Sequence, residues 1–405
     1  MRRPILRVLV ATHGLLALAS CGGGEGSGAS SSPATSVAFV AVATGGAHTC
    51  ALTARGAAYC WGRDEGGQLG APPPESCPLD SGLFPCSLVP LAVQGGLTFA
   101  QVVGGGGHTC ALTADGSAYC WGNNGSGQLG NGTTTNAPVP VAVSGGLRFA
   151  SMDAGASHTC GVTGSGTAYC WGRNDRGQLG DGTTTTRLAP VPVSGSLVFQ
   201  SVTAGGFIIG HTCGVTTAGA ALCWGDNEKG QLGIGTHDVT AHPVPAPVSG
   251  GLTFATLTAG LDRHTCGITA AETAYCWGEN PFGALGTGST ADSAVPAAVA
   301  GGLTYAQLRA GGFIGHTCGL TGRGAAYCWG DNEVGALGTG STDDSFVPSP
   351  VAGGLVFSSL DSGLRHTCGR VTAGAVYCWG SGAAGQLGTN STKQSAVPAK
   401  VFGQP

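Results

Sequence analysis

The stretch that decides the fold reads His108-Thr109-Cys110-Ala111-Leu112-Thr113-Ala114-Asp115-Gly116-Ser117-Ala118-Tyr119-Cys120-Trp121-Gly122. Two strand-like runs flank Ala114-Asp115-Gly116, the composition of a three-residue hairpin loop with glycine in the left-handed position. Centring the hairpin on Asp115 sets Cys110 directly opposite Cys120. Opposed residues on antiparallel strands lie about 4.5–5.5 Å apart at Cα, within reach of a disulfide.

The same spacing recurs seven times: Cys50 with Cys60, Cys110 with Cys120, Cys160 with Cys170, Cys213 with Cys223, Cys266 with Cys276, Cys318 with Cys328 and Cys368 with Cys378. Each first cysteine lies in His-Thr-Cys, each second precedes Trp-Gly, and all seven tryptophans occupy that one position. Successive His-Thr-Cys motifs are 60, 50, 53, 53, 52 and 50 residues apart, the longest interval containing a Pro72–Ser87 insertion with its own pair, Cys77 and Cys86. A period near 50 residues built from short strands belongs to the blades of a β-propeller. Each unit adds a Leu-x-Phe-Ala-x-Leu strand before the hairpin (Leu147 to Met152 in the third repeat) and a Pro-x-x-Val segment after it. The expected fold is therefore all-β: a seven-bladed propeller over residues 37–405, with disulfide-stapled hairpins. The chain enters on the Leu-x-Phe-type strand Val37 to Val42 and ends on Pro398 to Val401, the strand that precedes it in the repeat. The two termini are thus expected to complete one blade together and close the ring by strand pairing.

Composition narrows the function. Of 405 residues 76 are Gly and only 9% are charged, against about 25% in ordinary soluble domains. Without Arg2, Arg3 and Arg7 of the leader, 14 basic residues face 21 acidic ones, and three lysines in all exclude a phosphate-binding surface. No nucleic-acid partner is expected. Residues 1–20 read as a signal peptide: Arg2 and Arg3 precede the apolar stretch Ile5 to Leu18, too short for a permanent membrane span. Leu18-Ala19-Ser20-Cys21 resembles the bacterial lipobox, which implies a lipid on Cys21 as the first mature residue. Residues 21–36 form a Gly- and Ser-rich tether, and Gly22 resembles the outer-membrane sorting pattern. The expectation is an exported monomer held to the outer membrane or cell surface by its lipid alone. Setting Cys21 aside leaves sixteen cysteines, an even number suited to eight disulfides in an oxidising compartment.

The run Cys120-Trp121-Gly122-Asn123-Asn124-Gly125-Ser126-Gly127-Gln128-Leu129-Gly130-Asn131-Gly132-Thr133 resembles the regulator of chromosome condensation repeat, as do Gly155-Ala156-Ser157-His158-Thr159 and Pro140 to Val143. The resemblance covers all seven repeats and implies a seven-bladed propeller; the paired cysteines depart from the nuclear family's pattern. Each Trp is read as a core residue between blades and each His as a structural side chain bonded to a neighbouring turn. Metal binding by His-Thr-Cys would need free thiolates, which the cross-strand pairing consumes, so no metal or cofactor is assigned. Nucleophile-elbow, phosphate-loop and zinc-protease motifs are missing from the sequence, and no catalytic residue is assigned.

Function is sought where the repeats differ. The fourth and sixth carry apolar additions before His-Thr-Cys, Phe207, Ile208 and Ile209 in one and Phe313 and Ile314 in the other. Both also carry an Asp-Asn-Glu turn after Trp-Gly, with Asp226 and Glu228, and Asp331 and Glu333. The fifth and seventh share Gly-Leu-(Asp)-Arg-His, so a two-repeat unit looks copied. The acids are read as solvated turn residues that offer polar contacts, and the apolar additions either as a remnant of duplication tucked into their own loops or as neighbours at the channel mouth that anchor a partner. Three functions are weighed: a lipid-anchored recognition scaffold for a protein or surface ligand, guanine-nucleotide exchange on a small GTPase as the resemblance implies, and an envelope enzyme. The scaffold is preferred.

Overall fold

A computed structural model describes residues 36–79, 82–206, 209–312 and 315–405. The signal peptide, Cys21 and all of the tether but Ser36 lie outside the described residues. Every regular element among those described is a strand, arranged in seven antiparallel sheets, six of four strands and one of five. Blade three is representative, with Phe149–Ala154 innermost, then His158–Thr163, Ala168–Gly172 and Arg187–Pro192 at the rim. Residues 36–405 therefore fold as the expected seven-bladed propeller.

The hairpins form as their spacing predicts. Cys110 pairs with Cys120 across the strands, Gly116 takes φ +80°, and the Cα atoms of the two cysteines are 4.0 Å apart. The other six hairpin disulfides repeat this arrangement. Cys50 is bonded to Cys60, Cys160 to Cys170, and Cys213 to Cys223. Likewise Cys266 is bonded to Cys276, Cys318 to Cys328, and Cys368 to Cys378. Cys77 and Cys86 form an eighth disulfide, in the insertion. That insertion lengthens the outer strand of blade one (Gly82–Ala92) and adds a fifth, Glu75–Leu79. Phe84, Cys77 and Cys86 pack there against Ala384 of blade seven, covering the seam between first and last blades.

Closure differs from the expectation. Phe39–Thr44 pairs with His48–Thr53 inside blade one, and Ser395–Lys400 pairs with Val376–Gly380 inside blade seven. No blade is shared between the termini. The reason is that the Leu-x-Phe-type strand is the first and innermost of its own blade, so the chain from residue 37 onward contains seven whole blades. The ends still meet: Val37 N donates to Gly403 O at 3.0 Å and Phe39 N to Gly374 O at 3.0 Å. The second bond repeats at the next interfaces, for example Phe99 N to Gly56 O and Phe149 N to Gly116 O. The seam is thus an ordinary blade–blade interface.

The core lies between blades. Trp121 of blade two is fully buried against Cys50, Leu52, Leu69 and Phe99, and Trp61 of blade one is buried against Cys368, Val376 and Leu387 of blade seven. Burying aromatics of this size dominates the stability of each interface. Six indole N–H groups each donate to a carbonyl of the preceding blade, as Trp121 Nε1 does to Gln68 O at 3.0 Å. The glycine of Gln-Leu-Gly is required by this contact: Gly130 has φ +66°, and a Cβ there would lie 2.6 Å from Trp171 Nε1.

Candidate functional site

The His-Thr-Cys motif builds a girdle around the ring. Thr109 donates its hydroxyl proton to Gln68 O at 2.9 Å, so its oxygen can only accept at the 2.9 Å contact with His48 Nε2. His48 therefore carries its proton on Nε2. The pattern repeats through His108–Thr159, His158–Thr212, His211–Thr265, His264–Thr317 and His316–Thr367, and returns through His366–Thr49, all at 2.8–3.0 Å. Burial lowers the pKa of His48 and His158 to about 4 and of His108, His211, His316 and His366 to about 3, which keeps these imidazoles neutral. The histidines are structural as expected, but their partner is the threonine of the next blade's own motif rather than a turn. Blade five alone adds a carboxylate, with Asp262 Oδ1 2.5 Å from His264 Nδ1.

The turns after Trp-Gly lie on the face reached by the inner-strand ends. Asp226 and Asp331 are buried there, which corrects the reading of them as solvated residues. Asp226 accepts from Gln231 Nε2 at 2.5 Å, and burial raises the pKa of both aspartates. They follow Trp-Gly directly, where the chain is still packed between blades, so only the third residue of the turn reaches the surface. Glu228 does so and pairs with Arg263 Nη1 of blade five at 3.1 Å; Glu333 pairs with Arg365 of blade seven. The copied two-repeat unit thus has a physical content: the glutamates of blades four and six each meet the arginine of the blade that follows. Ile209 is half-buried. Phe207, Ile208, Phe313 and Ile314 lie outside the described residues.

A second feature is the axial channel, a cavity of about 350 Å³ walled by the innermost strands. At the strand position opposite the first cysteine of each hairpin, the seven blades place Ala43, Val103, Asp153, Thr203, Thr258, Arg309 and Asp361. Arg309 Nε donates to Asp361 Oδ1 at 3.0 Å, and Asp361 Oδ2 accepts from Thr44 N at 2.7 Å. Asp153 Oδ2 accepts from Ala204 N and Thr203 Oγ1, both at 2.9 Å. Both aspartates keep some exposure to the channel, and their burial among the inner strands raises their pKa values. These residues escape a reading by repeats because the charges are scattered over three of seven equivalent positions, the other four being small or neutral. Aligning the residue seven places before each His-Thr-Cys cysteine in the ungapped repeats would have exposed Val103, Asp153 and Asp361 together.

Comparison with known proteins now fixes the class. The profile described as RCC1-like domain matches residues 19–315, and that of the regulator of chromosome condensation (RCC1) repeat matches 323–369 and 373–405. The chain belongs to the RCC1-like propeller family. It is similar to the ultraviolet-B receptor UVR8 of Arabidopsis thaliana, 30% identical over 310 residues that make up 76% of this chain and 56% of that one. Human E3 ubiquitin-protein ligase HERC2 is 29% identical over 143 residues, 35% of this chain and 3% of that one. The chain thus spans little more than half of the first relative and a small part of the second. Among solved structures, Saccharomyces cerevisiae Prp20p, described with its binding to Gsp1p and histones, superposes with TM-score 0.72 at 20% identity, covering 91% of this chain and 88% of that one. Human WBSCR16 does so with TM-score 0.70 at 23% identity, covering 82% and 87%. These two likenesses concern the fold.

Proposed function

We propose that the chain is a recognition scaffold without catalytic activity, exported and anchored by a lipid on Cys21, whose propeller binds a protein or surface ligand in the cell envelope. The observation that carries this reading is the paired break in sevenfold repetition, Glu228–Arg263 and Glu333–Arg365, two blades apart on one face. Neutral turns would hold the ring as well, so two charged ridges on a chain with 9% charged residues answer to something outside it. The apolar additions Phe207, Ile208, Ile209, Phe313 and Ile314 belong to loops of the same two blades and supply the anchors, with Glu228 and Glu333 as polar contacts. The buried Asp226 and Asp331 hold those turns in shape.

The test is cross-linked capture from the native envelope followed by affinity measurement with the purified partner. The double variant Phe207→Ser/Phe313→Ser is expected to weaken binding at least tenfold without changing the melting temperature. Unchanged affinity would end the proposal. The anchor is tested apart, since Cys21→Ser should release the protein from membranes or leave its leader uncleaved.

A further inference from the structure

The bases that lack an ion pair are gathered on one part of one face. Every base of blades three to five has a carboxylate partner. Among the described residues the bases without one are Arg55, Arg323, Arg370, Lys393 and Lys400. All belong to blades six, seven and one, which are consecutive around the ring. Lys393 packs against Gly382, on the face of the Trp-Gly turns. The other four lie on the opposite face, that of the hairpin turns. Arg55 and Arg323 are exposed at the turns themselves, Arg370 adjoins the turn of blade seven, and Lys400 ends the outer strand opposite Tyr377. On that face the turns and strand ends of these three blades carry no acid among the described residues. The chain has too few bases for a nucleic-acid surface, yet the unpaired ones form a patch.

Arg370 stands at the strand position where the other six blades place Leu, Val or Ile. Its buried Nε has no partner, and its Nη1 makes one long contact, 3.5 Å, with Val371 O. An aliphatic side chain would pack there at lower cost, so the fold does not require a guanidinium. Apolar side chains emerge on the same face. Phe402 is 56% exposed at a position where the other blades have Gln, Ser or Ala. Val356, 60% exposed, lies against Gly324 in the turn of Arg323, and Val40, 50% exposed, sits at the bulge of the strand Phe39–Thr44. The described chain also starts here, with Val37 N donating to Gly403 O and Phe39 N to Gly374 O in the turn of blade seven. The segment read as a tether therefore joins the propeller at this patch.

We propose that the hairpin face of blades six, seven and one rests on a bilayer bearing anionic headgroups. Arg55, Arg323, Arg370 and Lys400 meet the headgroup phosphates, and Val40, Val356 and Phe402 reach the acyl boundary. The occupant follows from the patch: unpaired bases set among exposed apolar side chains match a surface that is anionic outside and apolar beneath. It follows also from the chain, because residues 22–36 are all that separate the patch from Cys21. A basic patch adds a second attachment to a lipid anchor. The choice of a membrane as occupant rests in part on the proposed anchor. Seated in this way, the propeller turns the Glu228–Arg263 and Glu333–Arg365 ridges away from the bilayer, towards a partner.

The test uses residues 36–405, a compact unit that contains all seven blades and carries no lipid, so its failure is distinct from failure of the anchor. Flotation with vesicles of phosphatidylcholine alone, and of phosphatidylcholine with about one third phosphatidylglycerol, measures the contribution of the surface. The expected result is binding to the anionic vesicles only, lost as salt rises from about 0.1 M to about 1 M. Arg55→Gln and Arg323→Gln should each weaken binding about fivefold. Arg370→Leu restores the residue class of the other blades and should weaken binding similarly, with an equal or higher melting temperature. Arg63→Gln, on the opposite face, should leave binding unchanged. No binding to the anionic vesicles would overturn the proposal and leave the patch to an acidic protein. Equal binding to both kinds of vesicle, or unchanged binding in the Arg55→Gln/Arg323→Gln double variant, would overturn it as well.

Discussion

His366 of blade seven donates from Nε2 to the hydroxyl of Thr49 in blade one, at 2.9 Å, so the bond made at every other blade interface also joins the last repeat to the first. Thr49 passes its own proton to Gln386 O at 2.9 Å, which also accepts the Trp61 indole at 3.0 Å. Every interface has the His–Thr–carbonyl chain, so the seam inherits the strength of the others without exchanging a strand.

Breaking the bond at the seam should therefore cost as much as breaking it elsewhere. Thr49→Val keeps the shape but orphans the buried His366 Nε2–H, with a penalty of about 1–3 kcal/mol. Thr159→Val, inside the ring, should cost the same within about 0.5 kcal/mol. Urea unfolding of the two variants measures both; a seam variant indistinguishable from wild type would contradict the girdle.

Acidification should weaken the fold. The six girdle histidines with lowered pKa stay neutral when folded down to about pH 3–4, whereas unfolded histidine takes a proton near pH 6.5. The unfolded chain thus binds more protons across that window, and stability is intact above pH 6.5 and lost as pH falls towards 4. Asp64, Asp153, Asp226, Asp331 and Asp361, whose pKa values are raised, act in the opposite sense, losing stability as pH rises through them. Six groups outweigh five. Unfolding free energies at pH 7.5, 6 and 4.5 should fall in that order, and a flat profile would contradict neutral buried imidazoles.

The disulfides should be out of reach while the protein is folded. All sixteen paired cysteines are buried, with at most 1% of their surface exposed. Dithiothreitol alone is expected to leave eight bonds intact over hours, and to reduce all of them once guanidinium unfolds the chain. Closing a loop of about ten residues contributes roughly 2–3 kcal/mol, less where the hairpin is already ordered, so the reduced chain should refold poorly. Mass mapping that joins Cys50 to anything but Cys60 would overturn the pairing.

Two glycines with the same backbone separate packing from conformation. Gly130 has φ +66° and Gly146 φ +63°, so alanine at either meets a similar left-handed cost of about 1–2 kcal/mol. A Cβ at 130 would also lie 2.6 Å from Trp171 Nε1, whereas at 146 nothing lies within 4 Å. Gly130→Ala should be less stable than Gly146→Ala by a further ~1–3 kcal/mol. Equal losses would mean the tryptophan stack tolerates a shift.

What could be read in the sequence was whatever repeats. Cys110 and Cys120 declare their pairing because seven identical spacings leave one hairpin register. Trp121 declares its burial by recurring in register. Ring closure was misread for a reason of principle: a circular repeat has no marked starting point, and the alternation in Val37 to Val42 does not say which neighbour that strand pairs with. The partner of His48 was illegible because Thr109 comes within reach only when blades stack. Asp153 and Arg309 were overlooked because each is a single exception in a strand read for its periodicity. Asp226 looked solvated because acids in Gly-rich turns usually are, and nothing local shows that the turn begins between two blades.

In the proposed mode of recognition, one face of the ring meets its partner through the turns of blades four to seven. Hydrogen-exchange footprinting of the chain with its captured partner tests it most directly. Slowed exchange is predicted at residues 206–210, 226–229, 260–264, 311–316, 331–334 and 363–366, with the hairpin turns of the opposite face, such as 113–117, unchanged. Protection confined to those hairpin turns or to the outer strands would contradict it.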